Sequence, residues 1–171
     1  MRKKIEKAAV GYMSYLNLIV ESLKRLLKEN LVSVVLFGSV AREEAGEGSD
    51  IDLLVVSKNF GTSGSRFEIF NEVENELIKT KEYRELREKE FGTLISPIPL
   101  TPDEIKTNPP ILLDLVTDGK ILYDHDDFMA CHLRNLRSRL EKIGARKIFL
   151  GKGRWYWDLK PDYKLGEVVE I

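Results

Sequence analysis

The chain has 171 residues, of which 32% are charged, and its formal net charge is −1 at pH 7. This length allows one domain with a sizeable core, and the near-zero charge argues against non-specific nucleic-acid binding by bulk charge. Cys131 is the only cysteine, which excludes an intrachain disulfide. The start of the sequence is charged and no apolar stretch reaches membrane-spanning length, so we expect a cytoplasmic protein without a membrane partner.

A long helix is predicted over residues 2–29, because apolar residues recur there at helical spacing. This broad face is expected to pack in the core or against a second copy of the chain, as in a homo-oligomer, rather than to form a cofactor groove. It comprises Ile5, Ala8, Ala9, Tyr12, Met13, Leu16, Ile19, Val20, Leu23, Leu26 and Leu27.

Two short apolar runs follow, at residues 31–37 and 51–56, with a polar connection between them. Runs of this length that are rich in Val, Leu and Ile and bounded by Gly are typical of buried strands. Asp50 and Asp52 stand at the start of the second run. Because residues two apart in a strand point the same way, the two carboxylates are expected to share a face, with Ile51 on the opposite one.

Two neighbouring carboxylates at the end of an apolar strand repel each other unless a proton or a cation lies between them. Mg²⁺ prefers carboxylate oxygens and completes its shell with water and substrate phosphates. Gly38 and Ser39 follow the first strand. Glycine allows close backbone approach, and a helix start at Ser39 would attract an anion. Arg42 lies about one turn later, where the N–H groups of its guanidinium could donate hydrogen bonds to the same anion.

The sequence GSVAR at residues 38–42, followed by SDIDL at residues 49–53, resembles the pattern of the DNA polymerase β-like nucleotidyltransferase superfamily. Within it, the chain is most similar to the small, stand-alone minimal nucleotidyltransferases. The family pattern is an apolar strand, Gly-Gly or Gly-Ser, a short spacer, and Asp-x-Asp in a second strand. The resemblance implies an α/β fold, in the loose α+β sense, with a small mixed sheet and long helices packed mainly on one face.

The resemblance also implies an enzyme that uses Mg²⁺ to transfer a nucleoside monophosphate, most simply AMP from ATP, to an acceptor hydroxyl. Asp50 and Asp52 would be catalytic and would hold one or two Mg²⁺ ions. The nucleotide phosphates would bind at Gly38, Ser39, Arg42 and Ser49. The acceptor would be a protein, an RNA or a small molecule. Some minimal members act on a small helical toxin of the HEPN type, which would here be a separate partner chain.

A second long helix is predicted over residues 66–90 and a third strand over residues 91–100. Pro97 and Pro99 restrict that strand to an edge of the sheet, because proline has no amide hydrogen to donate. The buried side of the helix is predicted to consist of Phe67, Phe70, Val73, Leu77, Ile78 and Leu86.

The third strand lacks the metal-binding acid that it often carries in the family, where the acid also helps to activate the attacking hydroxyl. Its interior offers Thr93 and Ser96. Glu90 is a substitute just before the strand; otherwise the base belongs to the acceptor, or catalysis is slow or lost. The alternative function is therefore a catalytically weak or inactive NTP-binding module of the same fold, with a regulatory or antitoxin-like role.

The C-terminal part combines a helix with a tail that is rich in aromatic and basic residues. We expect residues 1–124 to form the nucleotidyltransferase core and residues 125–171 to pack on it, through Trp155 and Trp157 in particular. Aromatic residues among Lys and Arg can also stack bases, so a structural RNA-binding protein is a third hypothesis. Further helices are predicted over residues 111–117 and 125–143, with a short strand between them at residues 120–123.

Overall fold

Four strands form the main sheet of the computed structural model, which describes residues 2–61, 66–151 and 154–164, with side chains from Tyr12 onward. The strands lie in the order third, second, first, fourth. The first is antiparallel to the second and the fourth, and the third is parallel to the second. The predicted mixed sheet is therefore confirmed. Its strands are β1 (Leu31–Phe37), β2 (Ile51–Ser57), β3 (Ile95–Leu100) and β4 (Lys120–Asp124).

Seven α-helices lie in the described ranges, and a short 3₁₀ turn joins the first of them to β1. A two-stranded hairpin, separate from the main sheet, follows the last helix. Its strands are β5 (Arg146–Gly151) and β6 (Arg154–Asp158), where the sequence predicts none. The helices are α1 (Arg2–Leu27), α2 (Gly38–Ala41), α3 (Glu68–Leu77), α4 (Lys81–Glu88), α5 (Pro102–Lys106), α6 (Ile111–Asp118) and α7 (Phe128–Lys142).

Helices cover both faces of the sheet. On one face, Val34 and Leu53 pack in a cluster with α1, α3 and α4. On the other face, Val35 and Leu54 pack in a second cluster with α5, α6 and α7. The fold class is confirmed with one correction, since the helices were expected mainly on one face. The reason is that β1 and β2 are apolar at consecutive positions, so both sides of each strand must be buried.

The second predicted helix is interrupted at Thr80. This residue is extended, and its hydroxyl accepts a hydrogen bond from the Tyr83 amide at 3.2 Å, which caps the start of α4. Ile78, beside the break, is 48% exposed and Phe67, before α3, is 53% exposed, so their predicted burial is wrong. The other four residues of the predicted face are buried: Phe70, Val73, Leu77 and Leu86.

The first helix buries most of its predicted face from Tyr12 to Leu27. Met13 is an exception and is 53% exposed. Tyr15 is fully buried but was not predicted, although it lies at helical spacing from Tyr12. None of the described helices is long and apolar enough to cross a membrane. Three predicted positions lie outside the described side chains: Ile5, Ala8 and Ala9.

The third strand forms one edge of the sheet, as its prolines predict. Pro97 and Pro99 pair in register with Leu53 and Val55 of β2, and no described strand lies on their other side. An edge suits proline because it has no amide hydrogen for a second neighbour. The start of β3 is thereby placed beside the start of β2.

Candidate active site at one end of the sheet

Three chain segments meet at one end of the sheet. β1 ends there, and β2 begins there because these strands are antiparallel. β3 begins at the same end because it is parallel to β2. In the register, Phe37 lies opposite Asp52, and Asp52 lies opposite Ser96. The predicted phosphate turn, the acid pair and the third strand are therefore neighbours.

Gly38 is in direct contact with Asp52. Its φ is +70°, and a Cβ atom built on it would lie 2.0 Å from Asp52 Oδ2. Only glycine fits there, because any side chain would be strained and would displace the carboxylate. The short helix α2 starts at Gly38 and carries Ser39. The turn and one of the two acids therefore face each other, as the sequence pattern predicts.

Several neighbouring groups of this site shift the pKa of Asp52. Partial burial raises the pKa of its carboxyl group, and a hydrogen bond from the Ser96 hydroxyl opposes that shift. The negative charge of Asp50 raises the pKa as well, whereas the positive charge of Arg42 lowers it. The net shift is upward, so folding holds the ionised carboxylate in an unfavourable state. A bound cation would relieve both the burial and the repulsion.

The donor atoms at this position suit Mg²⁺. Asp50 and Asp52 offer carboxylate oxygens and Ser96 a hydroxyl, all of which are hard oxygen donors. Among the described residues, no three His, Cys, Asp or Glu side chains are placed to hold a metal together. Glu90, the predicted substitute acid, is exposed beyond the end of α4 and completes no such group. The chain would therefore supply two carboxylates, and phosphate oxygens and water would complete the shell.

Arg42 is held by side chains that the sequence does not connect with the site. Its Nε donates to Glu44 Oε2 at 2.8 Å, and Nη1 lies 3.9 Å from Asp118 Oδ2. The guanidinium carbon lies 5.1 Å from the centre of the Trp155 ring. Asp118 ends α6 and Trp155 belongs to β6. The aromatic and basic composition of the tail was the only signal for this contact.

Ser49 shapes the loop that precedes the acid pair. Its hydroxyl accepts a hydrogen bond from the Gly46 amide at 2.9 Å. Its carbonyl oxygen lies against Gly92, where a Cβ atom would be only 1.8 Å away. Ser49 therefore joins the start of β2 to the segment before β3, and its role in phosphate binding stays a prediction.

A pocket of about 320 Å³ opens on the β3 side of the acid pair. Asp50 belongs to its wall, together with Glu74 and Arg87 from α3 and α4. Tyr15 and Tyr83 form an aromatic side, with their ring centres 6.4 Å apart. The pocket therefore combines charged groups and aromatic rings directly beside one of the two candidate metal ligands.

Two buried tyrosines of α1 hold the floor of this pocket. Tyr12 donates a hydrogen bond to the Gly92 carbonyl oxygen at 3.1 Å, and Tyr15 donates to the Thr93 carbonyl oxygen at 3.2 Å. Burial raises the pKa of both hydroxyl groups, so they remain protonated donors at neutral pH. These bonds fix the segment before β3 against the helix, a role that helical periodicity alone does not reveal.

The chain is similar to known proteins over most of its length. The chain matches the nucleotidyltransferase domain family over residues 16–115. A candidate protein adenylyltransferase of Methanocaldococcus jannaschii is 30% identical over 149 residues, which span 85% of this chain and 88% of that relative.

Solved structures are similar at a lower level. A toxin–antitoxin structure with AMP-PNP has a TM-score of 0.47 at 17% identity, covering 75% of this chain and 91% of the other. A candidate nucleotidyltransferase from Sulfolobus solfataricus has a TM-score of 0.44 at 20% identity, covering 72% and 89%. A Shewanella oneidensis complex of a tri-AMPylated HEPN toxin with an MNT antitoxin has a TM-score of 0.43 at 16% identity, covering 76% and 87%. At these scores, the family assignment depends on the two sequence matches.

Proposed function

This chain belongs to the nucleotidyltransferase family, and we propose that it transfers AMP from ATP to a hydroxyl group of a protein with the help of Mg²⁺. One observation carries the proposal: the turn at Gly38 touches Asp52 inside the charge cluster that includes Asp50 and Arg42. The name of the relative, a candidate protein adenylyltransferase, supports ATP as the donor and a protein as the acceptor.

The phosphates of ATP are assigned to the β1 side of the site. The backbone at Gly38 and Ser39 can approach them closely, and the Arg42 guanidinium supplies charged donors. Asp50 and Asp52 would hold Mg²⁺, which when bound supplies positive charge to the phosphate oxygens and to the leaving group. The remaining work of the protein is to orient the triphosphate and exclude other geometries.

The transfer step joins the acceptor to the α-phosphate. The acceptor oxygen forms a bond to the α-phosphorus, the bond from that phosphorus to the bridging oxygen of the β-phosphate breaks, and pyrophosphate leaves with the bonding electrons. Displacement is in line, so the acceptor approaches opposite the leaving group. With pyrophosphate on the Gly38 side, the acceptor enters from the β3 side, where the pocket beside Asp50 opens.

The proton of the acceptor passes to water in this proposal. No third carboxylate joins the acid pair in the described part of the chain, and the residue of β3 in register with Asp52 is Ser96, which is not an acid. The same observation favours a second candidate function, an NTP-binding module with slow or no turnover and a regulatory or antitoxin-like role. Turnover distinguishes the two functions.

The test uses labelled ATP, Mg²⁺ and a cell extract. The native chain is expected to release pyrophosphate and to label protein, and the Asp50→Asn, Asp52→Asn double variant to lose both by at least about 100-fold. A matched control, Asp103→Asn with Asp126→Asn, removes two carboxylates that are 89% and 88% exposed and should behave as the native chain. Unchanged Mg²⁺-dependent ATP affinity in the first double variant would refute the assignment. Binding without turnover by the native chain would select the module.

The same labelling experiment in cell extract tests the predicted partners. Label on a small helical protein would identify a HEPN-type partner, whereas label on RNA or on a small molecule would correct the acceptor class. The predicted homo-oligomer is checked separately by measuring the mass of the native chain in solution.

A further inference from the structure

The hairpin formed by β5 and β6 lies outside the part of the chain that matches the family, residues 16–115, yet it touches the candidate site at Arg42. We infer that this hairpin completes the triphosphate site: Trp155 and Lys147 are positioning residues that keep the Arg42 guanidinium available for the β- and γ-phosphates. The inference rests on the proposed function, because it assigns a role within the same site.

Trp155 provides a fixed surface for the arginine. The guanidinium carbon of Arg42 lies 5.1 Å from the centre of the indole ring, within the range in which a cation is attracted to an aromatic face. The indole is itself anchored, because its Nε1 donates to Asp114 Oδ1 of α6 at 2.8 Å. A planar guanidinium beside an anchored ring loses little further freedom when it binds a phosphate.

Lys147 forms a close ion pair with Asp118, the carboxylate that would otherwise pair closely with Arg42. Its side chain is only 8% exposed, and Nζ lies 2.9 Å from Asp118 Oδ2 and 2.9 Å from Thr117 Oγ1. Arg42 Nη1 stays 3.9 Å from the same Asp118 oxygen, at the limit of an ion pair. Because Lys147 neutralises Asp118, the arginine is not drawn into a close, partly buried pair that a phosphate would have to break.

The remaining ionic partner of Arg42 is a weak competitor. Glu44 accepts a hydrogen bond from Arg42 Nε at 2.8 Å, but the Glu44 side chain is 65% exposed. Exposed pairs of this kind are screened by solvent and contribute little. A triphosphate with several negative charges can therefore replace Glu44, whereas it could not readily replace a desolvated carboxylate. Arg42 directly follows α2, whose first residue, Gly38, contacts Asp52, and this places the arginine at the site itself.

The test compares two nucleotides that differ in the β- and γ-phosphates. α,β-Methylene-ATP with Mg²⁺ and AMP are titrated into the native chain and the variants. Trp155→Leu is expected to weaken the affinity for α,β-methylene-ATP about tenfold, while the affinity for AMP stays within about twofold. Trp155→Phe keeps an aromatic face and should stay within about threefold for both. The matched control is Tyr156→Leu, on the same strand but 49% exposed, and it should behave as the native chain.

A second pair of variants separates positioning from folding. Lys147→Met removes the close partner of Asp118, so Asp118 should draw Arg42 into a closer pair and lower the affinity for α,β-methylene-ATP about tenfold. Adding Asp118→Asn removes the capturing charge and should restore the affinity to within about threefold. A purely structural role would instead make the double variant no better than Lys147→Met. The unfolding midpoint of each variant is measured alongside.

The outcomes are decisive in each direction. Unchanged affinity in Trp155→Leu, equal losses for AMP and α,β-methylene-ATP, or no recovery in the Lys147→Met, Asp118→Asn variant would overturn the inference while leaving the proposed function intact. If the native chain fails to bind α,β-methylene-ATP in Mg²⁺, the proposed function fails, and this inference fails with it.

Discussion

The two sides of the acid pair are built differently. On the β1 side, charged groups are paired with one another: Arg42 with Glu44, and Lys147 with Asp118, around the Trp155 ring. On the β3 side, the pocket of about 320 Å³ is open. Arg87 belongs to its wall, and its side chain makes no ion pair with any described residue.

This difference separates two kinds of recognition. The proposed triphosphate side is pre-organised, because its cations are already held by anchored neighbours and need little rearrangement. The proposed acceptor side has a fixed floor, held by Tyr12 and Tyr15, but Arg87 in its wall has no ionic partner among the described residues. Its contacts are therefore expected to form only when the acceptor arrives. Changes on the first side should alter nucleotide affinity, and changes on the second should alter transfer.

The largest effect is expected from Gly38→Ala, where the turn meets the acid. The new Cβ atom would lie 2.0 Å from Asp52 Oδ2, so the carboxylate must move. A displacement of about 1 Å or more at a reacting group lowers the rate at least about 100-fold. Pyrophosphate release measures it. Gly46→Ala is the control, because a Cβ atom there has nothing within 4 Å. A native rate in Gly38→Ala would show that Asp52 does not act from this position.

Ile78→Trp should affect the acceptor side alone. Ile78 lies on the pocket wall and is 48% exposed, so a larger side chain can fill the pocket without disturbing the core. Transfer is expected to fall about tenfold while the affinity for α,β-methylene-ATP stays the same. Met13→Trp, at a position that is 53% exposed on α1, is the control. A loss of nucleotide affinity instead would assign the pocket to the nucleoside.

Ser96→Ala tests the link between the acid pair and the third strand. The Ser96 hydroxyl lowers the pKa of Asp52, so its removal should raise that pKa further. Because Asp52 must be ionised to hold a cation, ATP binding in Mg²⁺ should then fail at a higher pH as the solution is acidified. We expect the acidic limb of the affinity profile to move to higher pH by less than about one pH unit, with little change at pH 8.

The titration of ATP affinity against pH is the measurement for Ser96→Ala. Ser138→Ala, which removes an exposed serine of α7, serves as its control and should follow the native curve. An acidic limb that stays in place, or moves to lower pH, would contradict the contact between Ser96 and Asp52.

The smallest effect is a gain in stability from Asp52→Asn. Burial and Asp50 raise the pKa of Asp52 in the folded chain, so its contribution to stability is lost as pH rises through that pKa. At pH 7 without Mg²⁺, the amide should therefore raise the unfolding midpoint by about 2–4 °C. The gain should vanish in acid, where the carboxyl is protonated in both states. A lower midpoint at pH 7 would contradict it.

Local sequence patterns were sufficient to predict strands β1 and β2 and the contact between the Gly38 turn and Asp52. The apolar runs of β1 and β2, the glycine after the first and the alternating acids of the second are all close in sequence, so their geometry follows from strand and turn rules. The predicted superfamily and enzyme class are confirmed. The edge position of β3 also followed from Pro97 and Pro99.

Contacts between distant segments could not be read in the same way. Periodicity shows which face of a helix is buried, but not which partner covers it, so the second layer of helices and the role of Tyr15 emerged only from packing. A tail rich in Lys and Trp is compatible with a free surface or with a folded hairpin. Composition alone does not decide between these two structures. The contacts that hold Trp155 beside Arg42 involve Asp114 and Asp118, which are distant in sequence and come near only when the chain has folded.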